Sequence, residues 1–154
     1  MVKIVGELLA NFTLIAMAIS WFLAQTIKVV VYRFKEGEWN IWHFFEAGGM
    51  PSTHSASVTS VTLGVGLTVG WGSPLFTACL VFALIVMYDA TGVRRSAGKQ
   101  AEILNRIVDD IYSTGKVKIS KLKELLGHDP IEVISGASIA IVVTILVYYV
   151  YFIR

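Results

Sequence analysis

Residues Ile131 to Ile153 form a run of 23 with one formal charge, Glu132, near its start. About 20 predominantly apolar residues in helical conformation cross the hydrocarbon core of a bilayer, so this run commits the chain to a membrane. In hydrocarbon every backbone N–H and C=O must be bonded within the protein, and a helix does that within a single segment. Three further stretches fit the same element. Residues 8–27 carry no formal charge, and Asn11 and Gln25 are their only strongly polar members. Residues 53–69 are rich in Ser, Thr and Gly, a span only if buried among other helices. Residues 73–90 are strongly apolar up to Asp89. The pattern predicts an all-α integral membrane protein with four transmembrane helices, a single domain over residues 1–154. Composition agrees: 55% of residues are hydrophobic and 16% charged, against about 25% charged in soluble domains. Disorder is excluded, and too few polar residues remain to cover a soluble globule. The single cysteine excludes an intrachain disulfide framework and a multi-Cys zinc site. A net charge of +2 calls for no nucleic-acid partner.

Lys3 before an apolar run, with Ala16-Met17-Ala18 beyond it, loosely resembles a signal peptide. The run has the length of a full span, so it is read as the first helix. The sequon Asn11-Phe12-Thr13 inside it is then inaccessible to glycosylation. Four spans divide the polar segments between two faces. One face holds the N-terminus, the Gly70-Trp71-Gly72 turn and the C-terminus, with only Lys3 and Arg154 basic. The other holds the remaining eleven of the 13 basic residues. The positive-inside rule puts that second face in the cytoplasm and both termini opposite, as in a bacterial inner membrane. Between spans three and four, residues 95–126 predict a cytoplasmic amphipathic insert. Ala97, Ala101, Leu104, Val108 and Ile111 recur at helical spacing, with Lys99, Glu102, Arg106 and Asp109 away from that stripe. A short second helix is expected from Ser120, its N-cap, to Leu126.

Three segments could carry chemistry. In Gly48-Gly49-Met50-Pro51-Ser52-Thr53-His54-Ser55, Pro51 suits the first helical position. Small hydroxyl residues at a helix N-terminus, here Ser52 and Thr53, make a ready anion site, and His54 falls in the first turn. The plainer reading is a Gly-Pro turn and a surface His. In Gly127-His128-Asp129-Pro130-Ile131-Glu132, the carboxylate of Glu132 lies four residues after His128 and could hold one ring nitrogen, leaving the other basic. The plainer reading is a loop His and an interfacial Glu, although ionisable groups at membrane depth are usually functional. In Asp89-Ala90-Thr91-Gly92-Val93-Arg94-Arg95, the guanidinium forks suit phosphate, or the pair merely stops transfer. Lys28 and Arg33, after the first span, share that ambiguity. Topology weighs on all of these: Lys28, His54, Arg94 and His128 all meet the membrane on one face, where a four-helix bundle can gather them round one pocket. Two histidines, several cations and a helix N-terminus suit phosphate chemistry. No Cys/His cluster suggests zinc, no P-loop suggests a nucleotide, and no cofactor is expected.

Pro51-Ser52-Thr53-His54 resembles the PSGH motif of the type 2 phosphatidic acid phosphatases, relatives of the vanadium haloperoxidases. His128 to Gly136 resembles their HxxxDVxxG element. The run Gly48 to Ala56, taken with Asp89 to Ala101, is similar to the divergent branch of that superfamily, small bacterial and plant membrane proteins, over nearly the whole chain. The resemblance implies a PAP2-like bundle and hydrolysis of a lipid phosphate or diphosphate. His128 would attack phosphorus and form a phosphohistidine, Glu132 would orient it, and His54 would protonate the leaving oxygen. Lys28, Arg33, Ser52, Thr53, Arg94 and Arg95 would bind phosphate, with Asp89 and Lys99 in support and no metal. Such a scheme combines an activated nucleophile with fixed positive charge around the transferring group.

The chain departs from the superfamily in several places. Lys28 to Arg33 is shorter than KxxxxxxRP and lacks the Pro. Thr53 replaces Gly, and Glu replaces Asp. Thirty-three residues separate Arg95 from His128. The superfamily's site usually faces outward, whereas the charge count here points inward. The alternative is a non-catalytic relative that binds lipid headgroups or transports them. A phosphotransferase, a haloperoxidase and a metal-dependent phosphatase using Asp89, Asp129 and Glu132 complete the set. Gly66 and Gly70 form a GxxxG pair suited to packing within the bundle or to a homodimer. Cys79 is read as a small core residue. Trp39 and Trp42 are read as interfacial anchors or the rim of a lipid entrance, and Tyr148, Tyr149 and Tyr151 as an aromatic belt.

Overall fold

The computed structural model describes residues 2–45, 48–91, 100–109 and 129–153. Every element among them is helical: α1 (Val2–Leu9), α2 (Phe12–Glu36), a 3₁₀ turn (Ile41–Phe44), α3 (Thr53–Val69), α4 (Pro74–Thr91), α5 (residues 100–109) and α6 (Pro130–Phe152). Three of them, α2, α4 and α6, are long and apolar enough to cross a membrane. At 17 residues α3 is shorter, and it holds the central place, packing against α2, α4 and α6. The α2 and α6 helices also pack together, whereas the backbones of α2 and α4 stay apart among the described residues.

The first apolar stretch is not one helix over residues 8–27. It breaks at Ala10–Asn11, where the Asn11 side chain accepts the Leu14 N–H at 3.0 Å and caps a new helix. Asn favours caps over helix interiors because its side chain competes for nearby backbone N–H groups. The new helix runs to Glu36, so Lys28 and Arg33 lie within α2 rather than beyond its end. Gly37, at φ 84°, ends it by donating its N–H to the Arg33 carbonyl.

Small residues set the interior of α2, α3 and α6. Ala24, Ala56 and Ala140 meet in one fully buried layer. One turn along, Ser20, Ser60 and Thr144 form a buried hydroxyl chain, with Oγ–Oγ 2.8 Å and Oγ–Oγ1 2.6 Å. Each step of four residues advances one turn along a helix, so the two layers fix the register of all three helices. Small side chains let helix backbones approach, which is how association proceeds in lipid without a hydrophobic driving force. On the other side of α3, the Thr62 hydroxyl donates to its own helix at Val58 and to the Cys79 carbonyl of α4, 3.2 Å away. At the end nearer the chain termini, Phe12 packs against the rings of Tyr148, Tyr151 and Phe152, and the Tyr151 hydroxyl donates to the Ala10 carbonyl.

Other details differ from expectation. Gly66 and Gly70 do not form a helix–helix seam: Gly66 lies under the Trp71 ring, and Gly70 is the C-cap of α3. Pro51 does not open α3, because Ser52 is the N-cap and Pro51 precedes it, fully buried. Within the expected amphipathic insert, residues 100–109 are helical. Their buried residue is Asn105, one position on from the expected Leu104, which is half exposed. Residues 95–99 and 110–126, including the expected Ser120 helix, lie outside the described residues.

The buried hydroxyl chain yields a prediction. Removing its middle member strands Ser20 and Thr144 in an apolar layer, at a cost of about 1–2 kcal/mol. Ser60→Ala is expected to lower the thermal unfolding temperature of the detergent-solubilised protein. Ser138→Ala, whose exposed hydroxyl bonds only its own helix, leaves that temperature unchanged.

Candidate functional site

The two motif segments farthest apart in sequence meet at the start of α3. Ser52 caps the helix, its Oγ accepting the Ser55 N–H at 3.3 Å and the Ser55 hydroxyl at 3.1 Å. The Ser52 N–H donates to the Glu132 carbonyl of α6 at 2.9 Å, and the Ser135 hydroxyl donates to the same oxygen. Gly136 makes this junction feasible. A Cβ there would lie 2.1 Å from the Ser52 carbonyl oxygen, so any other residue would push the capping loop off α6. The Glu132 side chain turns back toward the helix start, where Oε2 accepts the Asp129 N–H at 3.3 Å. A carboxylate at this position also meets the positive end of the helix dipole.

Lys28 joins the same end. Stepping one turn beyond the alanine layer brings Lys28, Ser52 and Gly136 to one level, and Lys28 is only 1% exposed. A buried ammonium is tolerated only beside acceptors or counter-charge. Lys28, Ser52 and Glu132 are therefore gathered where α2, α3 and α6 converge. Thr53 is buried beside them. His54, in the first turn of α3, is half-buried on a different side. It lines a cavity of about 220 Å³ with Trp21 of α2 and Phe82 and Val86 of α4. Asp89 is half-buried near the end of α4. Arg33 is drawn outward, its guanidinium 5.8 Å from the centre of the Trp39 ring. His128, Arg94, Arg95 and Lys99 lie outside the described residues. Asp89, Asp129 and Glu132 do not form a metal-binding group, nor do any three His, Cys, Asp or Glu among the described residues.

One participant has no mark in the sequence. His43, in the 3₁₀ turn, is 8% exposed. Its Nε2 is 2.9 Å from Glu36 Oε2, and its ring stacks on Tyr32 at 4.0 Å and 12°. The Tyr32 ring also lies against Gly49, at φ 81°, where a Cβ would come to about 3.0 Å from that ring. Glu36, His43 and Tyr32 thus hold the glycine loop that leads into Ser52. A spacing of seven residues is two helical turns, but the helix ends at Glu36, so periodicity does not join Glu36 to His43. Only the cluster of aromatics around His43 hinted at it. Trp39, Ile41, Trp42 and Phe45 remain largely exposed around this clasp, as residues at an apolar interface would be.

Comparison with known proteins adds two findings. A family model described as the divergent PAP2 family matches residues 9–143. An uncharacterized membrane protein of Bacillus subtilis (strain 168), YuiD, is 42% identical over 156 aligned positions, which cover 93% of this chain and 98% of the relative. No solved structure matches the chain.

The close approach at Gly136 is testable. Gly136→Ala is expected to destabilise the protein by about 1–3 kcal/mol, as overpacking does, and to speed proteolytic cleavage between residues 37 and 52. Gly6→Ala, in open space, is the control. Equal behaviour of the two variants would show that the Ser52–Gly136 junction is not formed.

Proposed function

The chain is a member of the divergent PAP2 family, and from that premise we propose that it is a membrane lipid phosphatase acting through a phosphohistidine. The observation that carries the reading is the backbone bond from Ser52 to Glu132. It ties the segment resembling the PSGH motif to the segment resembling HxxxDVxxG, at the end of the bundle where Lys28 is buried. In this reading His128, one residue before the N-cap of α6, attacks phosphorus and Glu132 orients its ring. His54 donates a proton to the leaving oxygen, then takes one from the attacking water. Lys28, Arg94 and Arg95 balance the phosphoryl oxygens, with Thr53 at the first turn of α3 adding its N–H and hydroxyl, and Ser52, whose N–H is held by the Glu132 carbonyl, keeping its hydroxyl at that turn. Asp89 and Lys99 support these groups, while Arg33, held over Trp39, stands farther out. The substrate is a lipid phosphate or diphosphate whose tail stays in the bilayer.

The reading carries a topology. With α3 as a fourth span beside α2, α4 and α6, the whole chain is one membrane domain. The candidate site then faces the cytoplasm, both termini lie opposite, and the α4–α6 connection is a cytoplasmic amphipathic insert. The second reading, a non-catalytic headgroup-binding or transport protein on the same fold, draws on the motif departures, Thr53 for Gly and Glu132 for Asp.

Phosphate release from a panel of lipid phosphates and diphosphates, by purified protein with EDTA present, separates the two. Wild-type protein is expected to release phosphate without added metal, and His128→Ala to abolish release. His54→Ala lowers it by about 10²–10⁴-fold, the usual range for a general acid–base residue. Absence of release from every lipid, or equal release by His128→Ala, would favour the binding reading.

A further inference from the structure

Among the described residues the backbones of α2 and α4 both pack on α3 but not closely on each other, which leaves a strip of α3 between them. Three cavities follow one another along that strip. The first, of about 680 Å³, lies at the Asn11 end and is walled by Thr13, Met17, Val61, Val65 and Leu75. The second, of about 180 Å³, shares Met17 and Val61 with the first and adds Thr62 and Cys79. The third ends at His54 and shares Ser57, Val58 and Phe82 with the second. Shared walls set them end to end along one strip, which we read as one groove. From His54 to Val69 it follows about 22 Å of helix at 1.5 Å per residue. That exceeds half of a hydrocarbon core about 30 Å thick, so the groove passes the bilayer midplane.

The groove is apolar by construction. The hydroxyls of Ser57, Thr62 and Thr68 donate to carbonyls of their own helix, at Thr53, Val58 and Gly64. These three turn mostly carbon toward an occupant, and polar side chains of the lining, Asn11, Thr13 and Tyr151, gather at the end away from His54. His54, at one end, is the only imidazole in the lining among the described residues. Polar demand persists at that end of α2. Trp21, Gln25 and Lys28 occupy successive turns, and Gln25 is 7% exposed with an Oε1 that has no hydrogen-bond partner among the described residues. A largely apolar channel with an imidazole in its lining at one end, near a buried cation and an unsatisfied amide, matches an amphiphile with one long tail and an anionic head.

We propose that this groove binds a single hydrocarbon tail of a lipid phosphate, with the phosphate at the His54 end and the tail running past the midplane toward Met17 and Leu75. Long tails would then be selected over short ones. The inference takes its headgroup chemistry from the phosphatase reading, but the groove can be tested separately from hydrolysis.

The experiment uses the full chain in detergent and single-chain alkyl phosphates carrying a diazirine. One probe has it at the end of a sixteen-carbon tail, the other four carbons from the phosphate. The long probe is expected to label peptides containing Met17, Val61 or Leu75, and the short probe those containing Phe82 or Val86. Met17→Trp, or Leu75→Trp from the opposite wall, should reduce long-probe labelling at least tenfold and spare the short probe. Thermal unfolding identifies whichever variant is folded. Labelling spread equally over the lipid-facing residues Ile141 and Leu146 of α6 would overturn the proposal, as would equal labelling by the corresponding alcohol. Crosslinks joining two copies through the groove would also overturn it, in favour of a second chain as occupant. Groove labelling without phosphate release would sustain the groove and sink the phosphatase reading. Release of phosphate from long-chain substrates at the wild-type rate by the Trp variants would do the reverse.

Discussion

The close approach of α3 to α6 governs the rest of the structure. Helices in lipid gain little from burying apolar side chains against each other, so they must pack closely and satisfy polar groups across the contact. Here the alanine layer allows the approach, and the Ser20–Ser60–Thr144 chain gives it a register. Gly136 then lets the backbone of Ser52 reach the carbonyl of Glu132. Each of these is a short-range requirement with little tolerance. Together they hold the loop before α3 and the N-terminus of α6 in one place, as a site assembled from distant segments requires.

The same packing leaves an opening. A central helix that packs on three neighbours, two of which do not pack on each other, has one face left uncovered among the described residues. On that face α3 carries Ser57, Val58, Val61 and Thr62, side chains too small to fill the space between α2 and α4. The polar convergence of Lys28, Ser52 and Glu132 and the apolar groove ending at His54 are therefore two sides of one helix start. A membrane enzyme for an amphiphile needs such a pairing: charge for the head, and a dry path for the tail.

Much of the fold was legible in the sequence because bilayer crossing is a requirement on length and composition. The spans at 73–90 and 131–153 differ from α4 and α6 by one residue at each end. Asn11 reads in the sequence only as a polar residue within an apolar run, since capping depends on one local side-chain bond that hydropathy does not see. Because that cap starts a new helix, Lys28 and Arg33 fall inside it and not after it. The PSTH and HDPIEVISG segments stood out by their residue types, but their junction through a main-chain bond leaves no side-chain signature beyond Gly136. His43 is hidden for a related reason: its stacking on Tyr32 and its pairing with Glu36 cross the end of α2, where helical spacing no longer says which residues meet. The groove was invisible in principle, because it arises from two helices that do not pack on each other.

The most direct test of the central claim is to trap the covalent intermediate. Purified protein is mixed with a ³²P-labelled lipid phosphate, quenched within the first turnovers, and digested. The account predicts a label that is stable to base, labile to acid, located on the peptide containing His128, and absent from His128→Ala. Phosphate release with no such label, or a label that persists in His128→Ala, would contradict it.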